Sequence, residues 1–298
     1  MPDFSDFERK IQQIFKVGTR FIFRGQSLTV EQVGKPRPQR GEAKSDIYIL
    51  ASPGRREVKI SAKQENAQFL ENKISAQRAE EILGVNWSQI IINSLVAIRT
   101  QIENRKLVFR TAFGNTNKGS ITLGWKYEIM NRPGGKLSGL IRLTREQIVG
   151  IYKGNNLSKE KRDATVNGTM IPNSGVAEYI LTSSIASIKT LDDVMSHLES
   201  IDEFIDRTKP PIAFACKALN YRSLHDPPKW DGNRPLALYV KWSVQKRKLA
   251  HEIITNEPLV RSGNEVAGEL MIALKKLGIK STADLNSGNV ANPAVIHS

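Results

Sequence analysis

Cysteine is nearly absent from this chain: Cys216 is the only one in 298 residues. No intramolecular disulfide can form, and no CxxC pair is available for a thiolate zinc site. Its setting, Ile-Ala-Phe-Ala-Cys, reads as that of a buried small apolar residue. Histidine is almost as scarce. His197, His225, His251 and His297 are scattered and lack HExxH spacing, so a histidine-based zinc centre has no support. There is no GxSxG elbow, no GxGxxG after a strand and no GxxxxGK[ST] loop, which removes the usual signatures of serine hydrolases, dinucleotide binding and P-loops. No run approaches the length of apolar sequence that a membrane helix needs, and the start lacks a basic segment leading into an apolar core. Neither membrane insertion nor secretion is indicated, and a cytoplasmic setting is expected.

What the chain has in excess is positive charge. Lys and Arg number 44 against 30 Asp and Glu, a formal net charge of +14. A field of that sign draws polyanions, and each phosphate neutralised by a cation releases counterions, so nucleic acid is the expected partner. Apolar residues make up 40% and charged residues 25%, enough to bury one large core or two modest ones.

Residues 46–50 (Asp-Ile-Tyr-Ile-Leu) and 56–63 (Arg-Glu-Val-Lys-Ile-Ser-Ala-Lys) read as strands, with Pro53-Gly54 between them as a turn. Folded back as an antiparallel hairpin, Asp46 faces Ile60 or Ser61, and Lys63 lies just beyond. A carboxylate and an ammonium then share one end of a sheet. That pairing suits metal-assisted phosphodiester hydrolysis: carboxylate oxygen holds a hard cation, while the lysine orients a water or offsets charge on the phosphoryl group.

Asp46, the hairpin, and the strings Glu57-x-Lys59 and Ser61-x-Lys63 together resemble the PD-(D/E)xK nuclease superfamily, whose signature is an Asp, a hairpin, and an acid two positions before a Lys. The resemblance covers residues 45–63 and the helix-like stretch after them. It implies an α/β (α+β) fold with a restriction-endonuclease-like mixed central sheet flanked by helices. It also implies Mg²⁺- or Mn²⁺-dependent hydrolysis of double-stranded DNA. Two registers compete. Glu57-x-Lys59 spells the pattern, yet at about 3.3 Å per residue Glu57 sits roughly 13 Å from Asp46. Ser61-x-Lys63 has the better position. Some restriction enzymes with a Ser-x-Lys string recover the missing acid from the next helix, which here points to Glu80 or Glu71. The favoured site is therefore Asp46, Ser61 and Lys63, with Glu80 or Glu71 at the metal. A bulge or a different turn restores Glu57 and Lys59, which share a face with Ser61 and Lys63. Residues 4–15 read as an amphipathic helix, with Ser5-x-x-Glu8 at capping-box spacing. The superfamily's first helix often lends a glutamate to the metal, so Glu8 is a further candidate beside its capping role.

Past residue 63, helical spacing runs over 74–83 and 87–102, and 106–113 alternates as a strand. The order helix, strand, hairpin, helix, strand is also that of the superfamily core. A boundary is drawn there, with residues 1–113 as a nuclease-like core and 114–298 as a mixed α+β extension for target recognition. Candidate DNA contacts in the extension begin with Lys118 at a polar turn and with Arg132 and Lys136 in a Gly-rich loop. They continue with Lys161 and Arg162 in a stretch, 155–175, whose composition reads as a mobile loop. Lys246, Arg247 and Lys248 follow Trp242 closely, an interleaving that suits phosphate and base contacts. Thr144-x-x-Gln147 reads as a capping box, 191–207 as one acidic surface helix, 236–244 as a strand, 258–277 as a helix, and the stretch from 281 onward as a frayed tail. A stand-alone restriction-type, phage or mobile-element nuclease is expected, a homodimer by analogy. The rival expectation is a non-catalytic nucleic-acid-binding or assembly protein whose hairpin only looks catalytic.

Overall fold

The computed structural model describes residues 4–64, 69–72 and 74–298. The Ser5 side chain, and residues 65–68 and 73 of the polar stretch after Lys63, lie outside the described residues. By its internal packing the chain divides into two compact units, Met1–Gln68 with Leu143–Pro210, and Phe69–Arg142 with Pro211–Ser298. The division is discontinuous, whereas the sequence suggested one boundary after residue 113.

The first unit opens with helix α1 (Phe4–Ile14), whose apolar residues recur so that Phe7 and Ile11 are fully buried, with Phe15 just past its end. Four antiparallel strands follow: β1 (Arg20–Phe23), β2 (Gln26–Gly34), β3 (Ile47–Ser52) and β4 (Arg56–Gln64). The strand Tyr179–Ser183 then runs parallel to β4, and Leu198–Ser200 completes a six-stranded mixed sheet at its edge. Strand alternation decides the layering. Ile47, Ile49, Ala51, Val58 and Ile60 pack with α1 into one core, while Tyr48 and Leu50 pack on the other side with Val166 and Ile171. Each of the buried Ile, Val and Leu side chains among them contributes about 1.5–3 kcal/mol of burial.

Val166 and Ile171 belong to a hairpin, Ala164–Val166 with Thr169–Ile171, preceded by the short helix Lys159–Arg162. The region read as a mobile loop therefore holds secondary structure. Its Asn167-Gly168 turn places two residues at φ 49° and 86°, the left-handed pair that a two-residue hairpin turn demands. Gly34 lets this hairpin approach β2, since a Cβ there would stand 2.6 Å from Asn167 Oδ1. Residues 191–207 also differ from expectation. They form two helices, Leu191–His197 and Ile201–Thr208, because Leu198–Ser200 is drawn into the sheet and Ser200 with Glu203 builds a fresh capping box. The capping box at Thr144 and Gln147 is present and opens the helix Arg145–Lys153.

The second unit is an α+β assembly around the antiparallel pair Ser120–Met130 and Ile212–Arg222. The strand Leu238–Gln245 joins Ser120–Met130 and forms a hairpin with Lys248–Ile254. Helices Ala76–Leu83, Trp87–Ala97 and Gly263–Lys276 belong to this unit. The expected strand over 106–113 shrinks to Val108–Phe109 and lies here, while in the first unit the strand beside β4 is Tyr179–Ser183. The C-terminal stretch is not frayed. Ile296–His297 pairs in parallel with Val108–Phe109, and Leu285, Val290 and Val295 are buried. Among the described residues no helix is long and apolar enough to cross a membrane.

Candidate functional site

The hairpin register is the one that faces Asp46 with Ser61: Ile47 pairs Ile60, Tyr48 pairs Lys59 and Leu50 pairs Glu57. The Asp46 amide donates to the Ile60 carbonyl at 2.8 Å. Its Oδ2 accepts from the Ala62 amide at 2.8 Å and from the Ser61 hydroxyl at 3.4 Å. One carboxylate oxygen is thus pinned over the end of β4, and Oδ1 has no hydrogen-bond partner among the described residues. Pairing of β4 with Tyr179–Ser183 runs from Ile60 to Gln64 without a register shift, so Lys63 keeps the face of Ser61 and Asp46. Lys63 is half-buried and makes no ion pair among the described residues.

Helix α1 brings Glu8 to the same place. Glu8 is ion-paired with Lys35 and, with Lys35, Arg37, Glu42, Ser45 and Asp46, lines a cavity of about 330 Å³. Burial pushes the Glu8 carboxyl above the usual carboxylate range. The Lys35 ammonium opposes that rise, the Asp46 charge adds to it, and Lys63 works against it. Glu8, Asp46 and Lys63 therefore share one electrostatic environment. Among the described residues no group of three or more His, Cys, Asp or Glu is poised around a metal position.

Glu57 and Lys59 are engaged elsewhere on the strands. Glu57 accepts the Tyr48 hydroxyl at 2.7 Å, and the buried Lys59 ammonium stands 3.0 Å from Glu178 and 3.7 Å from Glu57. Burial, reinforced by Glu57, raises the Tyr48 phenol pKa. Glu71 and Glu80 belong to the second unit. There Glu71 accepts from the buried Arg78 guanidinium at 2.6 Å, and Glu80 is exposed on its helix.

The predicted DNA contacts are dispersed over both units. Lys118, Arg132 and Lys136 are exposed in turns of the second unit, and the Gly-rich loop is closed by Ser138, which accepts from the Gly134 amide at 2.9 Å and donates to the Gly135 carbonyl at 2.7 Å. Lys161 and Arg162 are half-buried on their short helix. The Lys161 side chain lies against Gly41, a residue of the cavity wall. Lys246 and Arg247 are exposed at a hairpin turn, with Lys248 beginning the next strand. Trp242 offers no stacking surface beside them, since it is buried and its indole donates to the Thr122 carbonyl at 3.0 Å. The residues missed from sequence are Lys35 and Arg37. A signal existed, because Lys35, Arg37, Arg40 and Lys44 crowd into the stretch just before Asp46.

No protein-family model matches the chain, and no curated protein or solved structure matches it significantly.

Proposed function

We propose that the chain is a Mg²⁺- or Mn²⁺-dependent DNA endonuclease of the PD-(D/E)xK, restriction-endonuclease-like kind, working in a Ser-x-Lys form. The observation that carries this reading is that Glu8 and Asp46 line one cavity where β3 starts and β4 stops, with Lys63 on the Asp46 face of β4. The donor set suits such a cation: Mg²⁺ is commonly held by one or two carboxylates, with water and substrate phosphate filling the remaining positions. Asp46, through Oδ1, and Glu8 would hold it, and when bound it supplies Lewis-acid charge at the scissile phosphate.

The remaining work falls to the chain's own groups. The Ala62 amide and Ser61 hydroxyl fix the Asp46 carboxylate in orientation. Lys63, which makes no ion pair among the described residues, orients the attacking water and offsets charge on the phosphoryl oxygens. Glu8 takes the acidic place that Ser61 leaves empty, ahead of Glu80 or Glu71, because it shares both a unit and a cavity with Asp46. Glu57 and Lys59 serve the sheet. Lys118, Arg132, Lys136, Lys161, Arg162, Lys246, Arg247 and Lys248 are assigned to the phosphates of duplex DNA, in keeping with the charge of +14.

One observation favours a second reading, a non-catalytic DNA-binding protein on a degenerate nuclease frame: Lys35 already neutralises Glu8, and among the described residues no three acidic, His or Cys side chains converge on a metal position, although Glu42 shares the cavity. Supercoiled plasmid separates the two. The nuclease nicks or linearises it with Mg²⁺ or Mn²⁺ and stops with EDTA or Asp46→Asn. The binder retains plasmid in a salt-sensitive way and leaves it intact.

A further inference from the structure

Among the described residues, three hairpins close through two-residue turns in which both residues have positive φ. These are Arg24-Gly25 (49° and 78°), Asn167-Gly168 (49° and 86°) and Lys246-Arg247 (47° and 59°), each bounded by a paired residue on either side. Such turns favour Asn and Gly, because a Cβ is strained in left-handed backbone. The first two place glycine second. The third has no glycine and sets two long cationic side chains where the backbone least tolerates them.

Neither Lys246 nor Arg247 makes an ion pair or a side-chain hydrogen bond among the described residues, so nothing local compensates the strain. The ribbon beneath them is firmly held. Leu249 and Ala250 are buried, Trp242 is tied to Thr122, and Leu249 exchanges backbone hydrogen bonds with Asn289 and Ala291 at 2.8 and 2.9 Å. Half-exposed Lys248 adds a third cation next to the tip, while further down the ribbon exposed Lys241 is faced by exposed Glu252. Uncompensated backbone strain on a rigid support marks a position kept for a ligand rather than for the fold.

We propose that the Lys246-Arg247 tip grips the sugar-phosphate backbone of duplex DNA, and that its composition trades stability for that contact. A two-stranded ribbon is also the width that a major groove admits. The inference rests on DNA being the partner of this chain, but not on cleavage.

The test uses the full chain and fluorescein-labelled duplexes of two unrelated sequences, in EDTA. Two double variants divide charge from strain: Lys246→Asn with Arg247→Gly removes both, while Lys246→Gln with Arg247→Gln removes charge alone. Both are expected to raise Kd about tenfold on both duplexes and to lower the slope of log K against log salt by about 2. The Asn-Gly variant should melt about 2–4 °C above the wild type, and the Gln-Gln variant should melt with it. Unchanged Kd and slope in both variants, or an Asn-Gly variant no more stable than the Gln-Gln one, overturns the proposal. Plasmid left intact in Mg²⁺ while these binding changes appear would remove the nuclease reading and leave the tip standing.

Discussion

Lys59 and Lys63 lie four residues apart on one face of β4 and live in different environments, and that difference decides their roles. Lys59 is buried between Glu57 and Glu178, so Lys59→Ala should cost about 1–3 kcal/mol of stability, read by thermal or urea unfolding, because it leaves charges without their partner. It should still cut DNA. A Lys59→Ala protein as stable as the wild type but inert would return the catalytic role to Glu57-x-Lys59. Divalent ions provide a second check at this scale. Excess Mg²⁺ or Mn²⁺ should raise the melting temperature of the wild type and not that of Asp46→Asn, since only a native-state site gains from ligand. The Asp46–Ser61 juxtaposition was legible because strand alternation and a short turn leave few registers. The Glu8–Lys35 pair was not, because 27 residues separate its partners and nothing local links them.

Elements show the same contrast between local and distant causes. The capping box at Thr144 announces its helix in four residues, and that helix forms; the last helix, expected from 258, starts only at Gly263, after the Ser262 cap. The Asn167-Gly168 signal was equally local, yet the polar composition around it concealed the hairpin. The C-terminal stretch carried no periodicity, since its order comes from pairing with Val108–Phe109 far back in the chain. Deleting residues 281–298 exposes the partners of Leu285, Val290 and Val295 and should cost on the order of 5 kcal/mol, seen as a lower urea midpoint. A truncated chain with the wild-type midpoint would show the stretch to be idle. On the hairpin strand Lys248–Ile254, burial holds the His251 pKa below its ordinary value of about 6.5. The unfolded chain then binds the proton first as pH falls, so His251 contributes stability that is present above about pH 6.5 and lost below it, down through its lowered folded value. Replacing it with Asn should flatten the fall in melting temperature between neutral and mildly acidic pH. An equally steep fall in the variant would assign the effect to other groups.

For the whole molecule, charge was the plainest message of the sequence and topology the least plain. The sheet of the first unit is completed by Tyr179–Ser183, reached only after the chain has left that unit and returned. No window of sequence contains both partners of that parallel pair, so the strand beside β4 was not identified from sequence. The net charge of +14 carries an expectation independent of any one site: DNA affinity in EDTA should fall linearly in log-log form as salt rises, with a slope set by the number of phosphates contacted. A flat salt response would mean that the positive field serves another partner. The most direct test of the central claim is the rate at which supercoiled plasmid disappears in Mg²⁺ for the wild type and for Lys63→Ala. The account predicts cutting by the wild type and a loss of about a hundredfold or more in the variant with its melting temperature unchanged; equal rates, or no cutting by the wild type under any divalent ion, would contradict it.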